Sequence, residues 1–255
     1  MKNILVLKNY TLTDQVGWYN DRSHESDLSK NYKSMEEIAV ATAQKHIQQL
    51  DEVKVFRGNA DNIRDVFKLN FYEIYELWKE GNNILYCDLD VVFTKPVSFF
   101  EEQDSLFRMY NFTDPTHTVD NHYNLEFEHY FNCGIRYYPS NMSQSVWDVG
   151  IAMVENWNPD RWDSEQIIYN AMMWSQQKHP DVFYKPHCAY QMLHNPHSIG
   201  GNSMNTQFNQ IKLEQASVIH VHGSRGSMDR LGLMKVLATA ETRSNSLTDE
   251  SILIL

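Results

Sequence analysis

The chain has no run of about 18 apolar residues, the length a membrane-crossing helix needs. Ile4-Leu5-Val6-Leu7 follows a single Lys-Asn pair and is too short for the apolar region of a signal peptide, so no targeting or spanning segment is expected. Cysteine is scarce and odd in number. Cys87, Cys133 and Cys188 do not form a complete disulfide framework, which predicts free thiols in a reducing, cytoplasmic setting. Two glycosylation sequons, Asn111-Phe-Thr113 and Asn141-Met-Ser143, are too common by chance to argue secretion. Basic charge is also short. With 22 Lys and Arg against 33 Asp and Glu, the net charge of −11 opposes a nonspecific grip on DNA or RNA, and nucleic acid is an unlikely partner on that ground. No internal repeat or low-complexity linker divides the chain, and 42% apolar content is enough for the core of one large domain.

What the chain does have is an apolar run interrupted by two acids, Ile84-Leu85-Tyr86-Cys87-Asp88-Leu89-Asp90-Val91-Val92-Phe93, closed by Lys95-Pro96. A bare Asp-x-Asp is expected about once by chance in an acidic chain of this length, so the setting carries the signal. Read as one strand, the run puts both carboxylates on the same side, where two hard oxygen ligands hold one edge of a divalent cation's shell. Buried acids without such a partner are costly.

Around this run the elements alternate. Ile4 to Leu7 reads as a strand, Ser34 and Glu37 as a capping box for a helix running to about Leu50, and Val53 to Phe56 as a second strand. A long amphipathic helix from Asp61 to about Gly81 leads into the acidic run. Leu106 to Tyr110 and Phe131 to Pro139 read as further strands, with Gly134 allowing close backbone approach. Ser143 caps one helix, and Asp163 with Gln166 caps another, whose first turn carries Glu165. Val182 to Lys185 reads as a late strand, and residues 187–209 as an irregular loop. Ala216 to Val221 is an apolar strand breaking at His222-Gly223-Ser224-Arg225-Gly226 into a helix capped at Ser227. Such alternation predicts a largely parallel sheet with covering helices. Ligands of open α/β sheets gather at the carboxyl ends of strands, which makes Tyr10 and Thr11 candidates to meet a base. Arg64 and Lys68, one turn apart, are candidates to reach a diphosphate. His220, with glycines after it, is a candidate third metal ligand, and Arg225 a candidate phosphate contact.

Four blocks in order resemble the nucleotide-diphospho-sugar transferases of the GT-A fold. They are Phe67-Lys68-Leu69 through the Asp88-Leu89-Asp90 run, Phe131-Asn132-Cys133-Gly134, Glu165-Gln166-Ile167-Ile168-Tyr169-Asn170, and His220-Val221-His222-Gly223. The resemblance implies a GT-A-like α/β domain over residues 1–243, with a Rossmann-like, mostly parallel mixed sheet flanked by helices. Its nucleotide-binding half would span about 1–110 and its acceptor-side half about 111–243, with a polar tail at 244–255. It further implies Mn2+ or Mg2+ held by Asp88, Asp90 and His220, and donor contacts from Tyr10, Thr11, Lys68, Asp88, Leu89, Gly223 and Arg225. Glu165 and Gln166 would lie at the reacting carbon. The implied donor is a nucleotide sugar, with a UDP-sugar favoured, and the implied acceptor a saccharide or other small molecule; Trp18, Tyr19, Trp157, Trp162 and Trp174 offer flat faces for stacking. Glu165 stands where the family usually has Asp, and no lysine follows Gly223 at the spacing seen in some relatives. Retention is the favoured course. Two alternatives stay open: a haloacid-dehalogenase-type Mg2+ phosphatase with Asp88 as nucleophile, and a nucleotide- or sugar-binding module without turnover.

Overall fold

The computed structural model describes residues 1–12, 28–61, 63–101, 104–113, 130–156, 164–178, 189–194, 216–223 and 227–240. Strand β1 (Asn3–Leu12) lies between β2 (Glu52–Ala60) and β3 (Asn83–Cys87), parallel to both. Beyond β3 come β6 (Tyr130–Tyr138), antiparallel to it, and β5 (Arg108–Thr113), antiparallel to β6. The order β2-β1-β3-β6-β5 therefore leaves four strands pointing one way and β6 reversed. This is the mixed, mostly parallel α/β sheet that the alternation of elements predicts. A smaller sheet is built from β4 (Val91–Phe93), β8 (Val218–Gly223) and β7 (Ala189–His194) in the order β4-β8-β7.

The period of two along the central strands fills both faces of the large sheet. Ile4, Val6, Ile84 and Tyr86 turn towards α2 (Ile63–Lys79), α3 (Gln144–Glu155) and α4 (Ser164–Trp174), meeting Phe71, Ile74, Trp147, Ile168 and Tyr169. Leu5, Leu7, Leu85 and Cys87 turn the other way, onto Ala39 and Ala43 of α1 (Leu28–His46), onto Ile47 just beyond it, and onto Val91 and Phe93 of β4. A third cluster joins Met35 of α1, Val92, Ile219 and Val221 of the small sheet, and Leu231, Met234 and Leu237 of α5 (Ser227–Ala240). Trp147, fully buried, is stacked on Tyr138 with ring centroids 5.2 Å apart and anchors the first cluster.

Several local expectations hold. Ser143 caps α3, its hydroxyl accepting from the Ser145 N–H, and the chain turns away after α2 through Gly81, whose φ of +82° glycine adopts without cost. Three expectations need correction. Helix α1 starts at Leu28 rather than after Ser34, because its apolar stripe already begins at Tyr32 and Met35, which pack into the third cluster. Residues 189–194, expected in an irregular loop, form β7, which pairs parallel along β8 from Ala189↔Val218 to His194↔Gly223. The acidic run is not one strand: β3 stops at Cys87, Asp88 to Asp90 make a turn, and β4 enters the other sheet. Val182 to Lys185, Asp163 and the tail at 244–255 lie outside the described residues.

Candidate metal centre and its charged surround

The turn between the two sheets leaves the carboxyl end of the central strand β3. Its first acid is fixed from β6, where the Asp88 N–H donates to the Gly134 carbonyl at 2.8 Å. Its second is fixed from β8, where the Val221 N–H donates to the Asp90 carbonyl at 2.8 Å and Val91 pairs with His220. The register of two sheets thus brings residues 130 positions apart onto one point. The His220 Nε2 lies 3.1 Å from Asp90 Oδ1 and 3.8 Å from Asp88 Oδ2. One ligand atom from each of the three side chains lies within 4.8 Å of the others.

Each carboxylate has its other oxygen held by a donor. Tyr86 Oη donates to Asp88 Oδ1 at 2.6 Å, and Arg230 Nη1 donates to Asp90 Oδ2 at 2.9 Å. Asp88 Oδ2 and Asp90 Oδ1 are the oxygens turned towards the imidazole, so the outer contacts orient the ligand atoms. Burial works against an imidazolium at His220, but the charges of Asp90 and then Asp88 outweigh it, and its pKa stands above the ordinary histidine value. Burial, then the Asp88 charge, raises the Tyr86 phenol far above its ordinary value and keeps it a neutral donor.

Gly134 explains how the histidine fits. A Cβ there would lie 2.3 Å from His220 Cε1, 2.8 Å from its Nδ1 and 2.9 Å from Asn132 Oδ1. The close approach expected at this glycine is made by the histidine itself. Two acids and an imidazole could hold a divalent cation.

On the same side of β3 lies a second charged group. Glu165, in the first turn of α4, takes Lys8 Nζ at 3.2 Å and Arg136 Nη1 at 3.4 Å on its Oε1. Arg136 is 0% exposed, and its guanidinium carbon sits 3.8 Å from the Tyr86 ring centroid and 3.6 Å from that of Tyr169. Lys8 Nζ also lies over the Phe67 ring at 4.6 Å and the Tyr86 ring at 5.4 Å. Gln166 Oε1 accepts from the Cys133 N–H at 3.3 Å. Asn170 ties this helix to β6, accepting from the Phe131 N–H at 2.9 Å and donating to the Phe131 carbonyl at 2.7 Å.

The remaining sequence candidates are spread more widely. Tyr10 Oη donates to Glu73 of α2; Thr11 pairs along the backbone with Asn59, and its side chain lies outside the described residues. Leu89 packs between the second and third clusters. Lys68 stands 3.8 Å from Glu155 and lines a small cleft with Phe67, Phe71, Glu165 and Tyr169. Gly223 ends β8 opposite His194. Arg225, the Arg64 side chain, Trp18, Tyr19, Trp157 and Trp162 lie outside the described residues, while Trp174 ends α4. Sequence reasoning passed over Tyr86, Lys8, Arg136 and Arg230. Two of them carried a readable signal, since Lys8 and Arg136 are charges inside apolar strands, the same cost that drew notice to the acids.

Fold and site together define a mixed α/β protein with a candidate divalent-metal centre at the carboxyl edge of its sheet. No protein-family model matches the chain, and no curated protein matches it. Among similar solved structures is a glycosyltransferase involved in the glycosylation of the major capsid of PBCV-1, at 9% identity and TM-score 0.48, covering 91% of this chain and 99% of that one. Another is the galactosyltransferase LgtC in complex with donor and acceptor sugar analogues, at 12% identity and TM-score 0.46, covering 97% of this chain and 98% of that one. No helix among the described residues is long and apolar enough to cross a membrane.

Proposed function

We propose that the protein is a metal-dependent glycosyltransferase that moves a sugar from a nucleotide-diphosphate donor, with a UDP-sugar favoured, to a saccharide or other small acceptor. The observation that carries this reading is the convergence of Asp88 Oδ2, Asp90 Oδ1 and His220 Nε2 at the carboxyl end of β3, where open α/β sheets take their ligands. A cation held there, Mn2+ or Mg2+, supplies positive charge to a departing diphosphate, which carries the developing negative charge of the transition state. Lys68 and Arg225 would add fixed cations. Lys68 must then leave Glu155, a half-exposed pairing that costs little to break.

Glu165 and Gln166 are the residues assigned to the reacting carbon. Glu165 is engaged by Lys8 and Arg136, an arrangement that favours a fixed charge over a free general base and so supports retention. The phosphatase reading is disfavoured because Asp90 has both oxygens occupied, by His220 and Arg230, and is ill-suited to donate a proton. The described cysteines, Cys87 and Cys133, are not joined in a disulfide, which agrees with a reducing, cytoplasmic setting.

The test is a thermal-shift panel of UDP, GDP, CMP and ADP, each with and without Mn2+. A ligand at one hundred times its dissociation constant adds about 2.7 kcal/mol. In a chain of 255 residues that raises the melting temperature by roughly 5–11 °C. UDP stabilising only with Mn2+ present is the expected result. No response to any nucleotide under either condition would refute the donor site.

A further inference from the structure

We infer that Arg136 is a positioning residue that couples Glu165 to the metal ligand Asp88 through the Tyr86 ring, an inference that rests on the metal-site reading above. The contacts form one continuous path. Glu165 Oε1 accepts from Arg136 Nη1 at 3.4 Å, the guanidinium carbon lies over the rings of both Tyr86 and Tyr169, and the Tyr86 hydroxyl donates to Asp88 Oδ1 at 2.6 Å. Backbone register keeps the middle of the path fixed, because Tyr86 and Arg136 are partners across the β3–β6 ladder.

The chemistry favours arginine here. Its planar cation lies over two rings and keeps several edge donors in one fixed plane, whereas the Lys8 ammonium beside it is a point charge that reaches the Tyr86 ring only at 5.4 Å. The Arg136 Nε and Nη2 are buried without a hydrogen-bond partner among the described residues. A buried cation that leaves donors unused is expensive, so the residue is poorly explained as a plain stabiliser of the core. Its location explains it better. Among the described residues, Arg136 and Lys8 each meet both Glu165 and the Tyr86 ring, and Arg136 is the closer to the ring, at 3.8 Å against 5.4 Å. Removing the guanidinium frees the Tyr86 ring to shift, and with it the hydroxyl that dictates which Asp88 oxygen faces His220.

The readout is Mn2+ affinity of the full chain, measured by calorimetry without donor or turnover, for Tyr86→Phe, Arg136→Lys and the double variant. Loss of a contact that orients a metal ligand weakens binding by about tenfold or more. Each single variant is therefore expected to bind Mn2+ about tenfold more weakly, and the double variant no worse than the weaker single, because both act along one path. Glu165→Gln, which keeps the side-chain volume and pulls on the path from its far end, is expected to weaken Mn2+ binding in the same direction and serves if Arg136→Lys does not fold. Arg136→Lys or Glu165→Gln binding Mn2+ like the wild type, or losses that multiply in the double variant, would overturn the inference and leave the metal site standing. A wild-type protein that does not bind Mn2+ would remove the metal-site reading and this inference with it.

Discussion

Replacing Gly134 by alanine adds one methyl group at the most crowded point of the site. The new Cβ would stand 2.3 Å from His220 Cε1, and an ordinary carbon contact requires about 3.5 Å or more, so the imidazole must withdraw by more than about 1 Å. The backbone is not the obstacle, since among the described glycines only Gly81 has positive φ. Nor is there slack nearby: the same methyl meets His220 Nδ1 at 2.8 Å and Asn132 Oδ1 at 2.9 Å, and His220 is fully buried. Overpacking of this kind costs about 1–3 kcal/mol. For a chain of 255 residues the expected fall in melting temperature is about 2–12 °C in metal-free protein, read by circular dichroism. Mn2+ affinity should fall as well, because the displaced ring carries one of the three ligand atoms. The double variant with His220→Ala isolates the cause. Removing the imidazole deletes two of the three clashes, so Gly134→Ala should cost less than half as much stability in that background as in the wild type. Equal costs in both backgrounds, or a Gly134→Ala protein as stable as the wild type, would refute the steric account.

The two acids should separate in their effects. Asp90→Asn removes the charge facing both Arg230 and fully buried His220 and should cost about 1.5–3 kcal/mol in denaturant unfolding, whereas Asp88→Asn, a third exposed, should cost less, and both should abolish Mn2+ binding. Equal destabilisation would contradict the distinct surroundings of the two carboxylates. Asn170→Ala leaves the buried Phe131 N–H and carbonyl without their side-chain partner and should cost at least about 2 kcal/mol, with a midpoint shift of less than half that scale counting against the clip.

The acids, the histidine and the alternation of elements were legible because each rests on local pattern: apolar strands that end in polar ligands. The turn at Asp88 to Asp90 was not, because an apolar run on both sides reads as a single strand until the chain is seen to change sheets. Helix α1 started early for a similar reason, with packing of Tyr32 and Met35 onto α5 prevailing over the capping signal at Ser34. Strand β7 depends on pairing with β8, which no local propensity of residues 189–194 announces. The charged contacts were the least readable. Lys8 meets Glu165 across 157 positions and Arg230 meets Asp90 across 140, distances at which sequence offers only the anomaly of a charge among apolar neighbours.

The change of sheet inside the acidic turn gives the centre a mechanical character. Asp88 leaves the five-stranded sheet, whereas Asp90 leads into β4 at the edge of the three-stranded one and His220 sits on its central strand, β8. A cation gripping all three would act as a rivet through two plates. Whatever free energy it releases on seating resists their parting, and by reciprocity any force that spreads the plates loosens the rivet. Strain on β7, whose Gln191 pairs with His220, or on α5, whose Arg230 holds Asp90, would then bear on the ion through the protein itself.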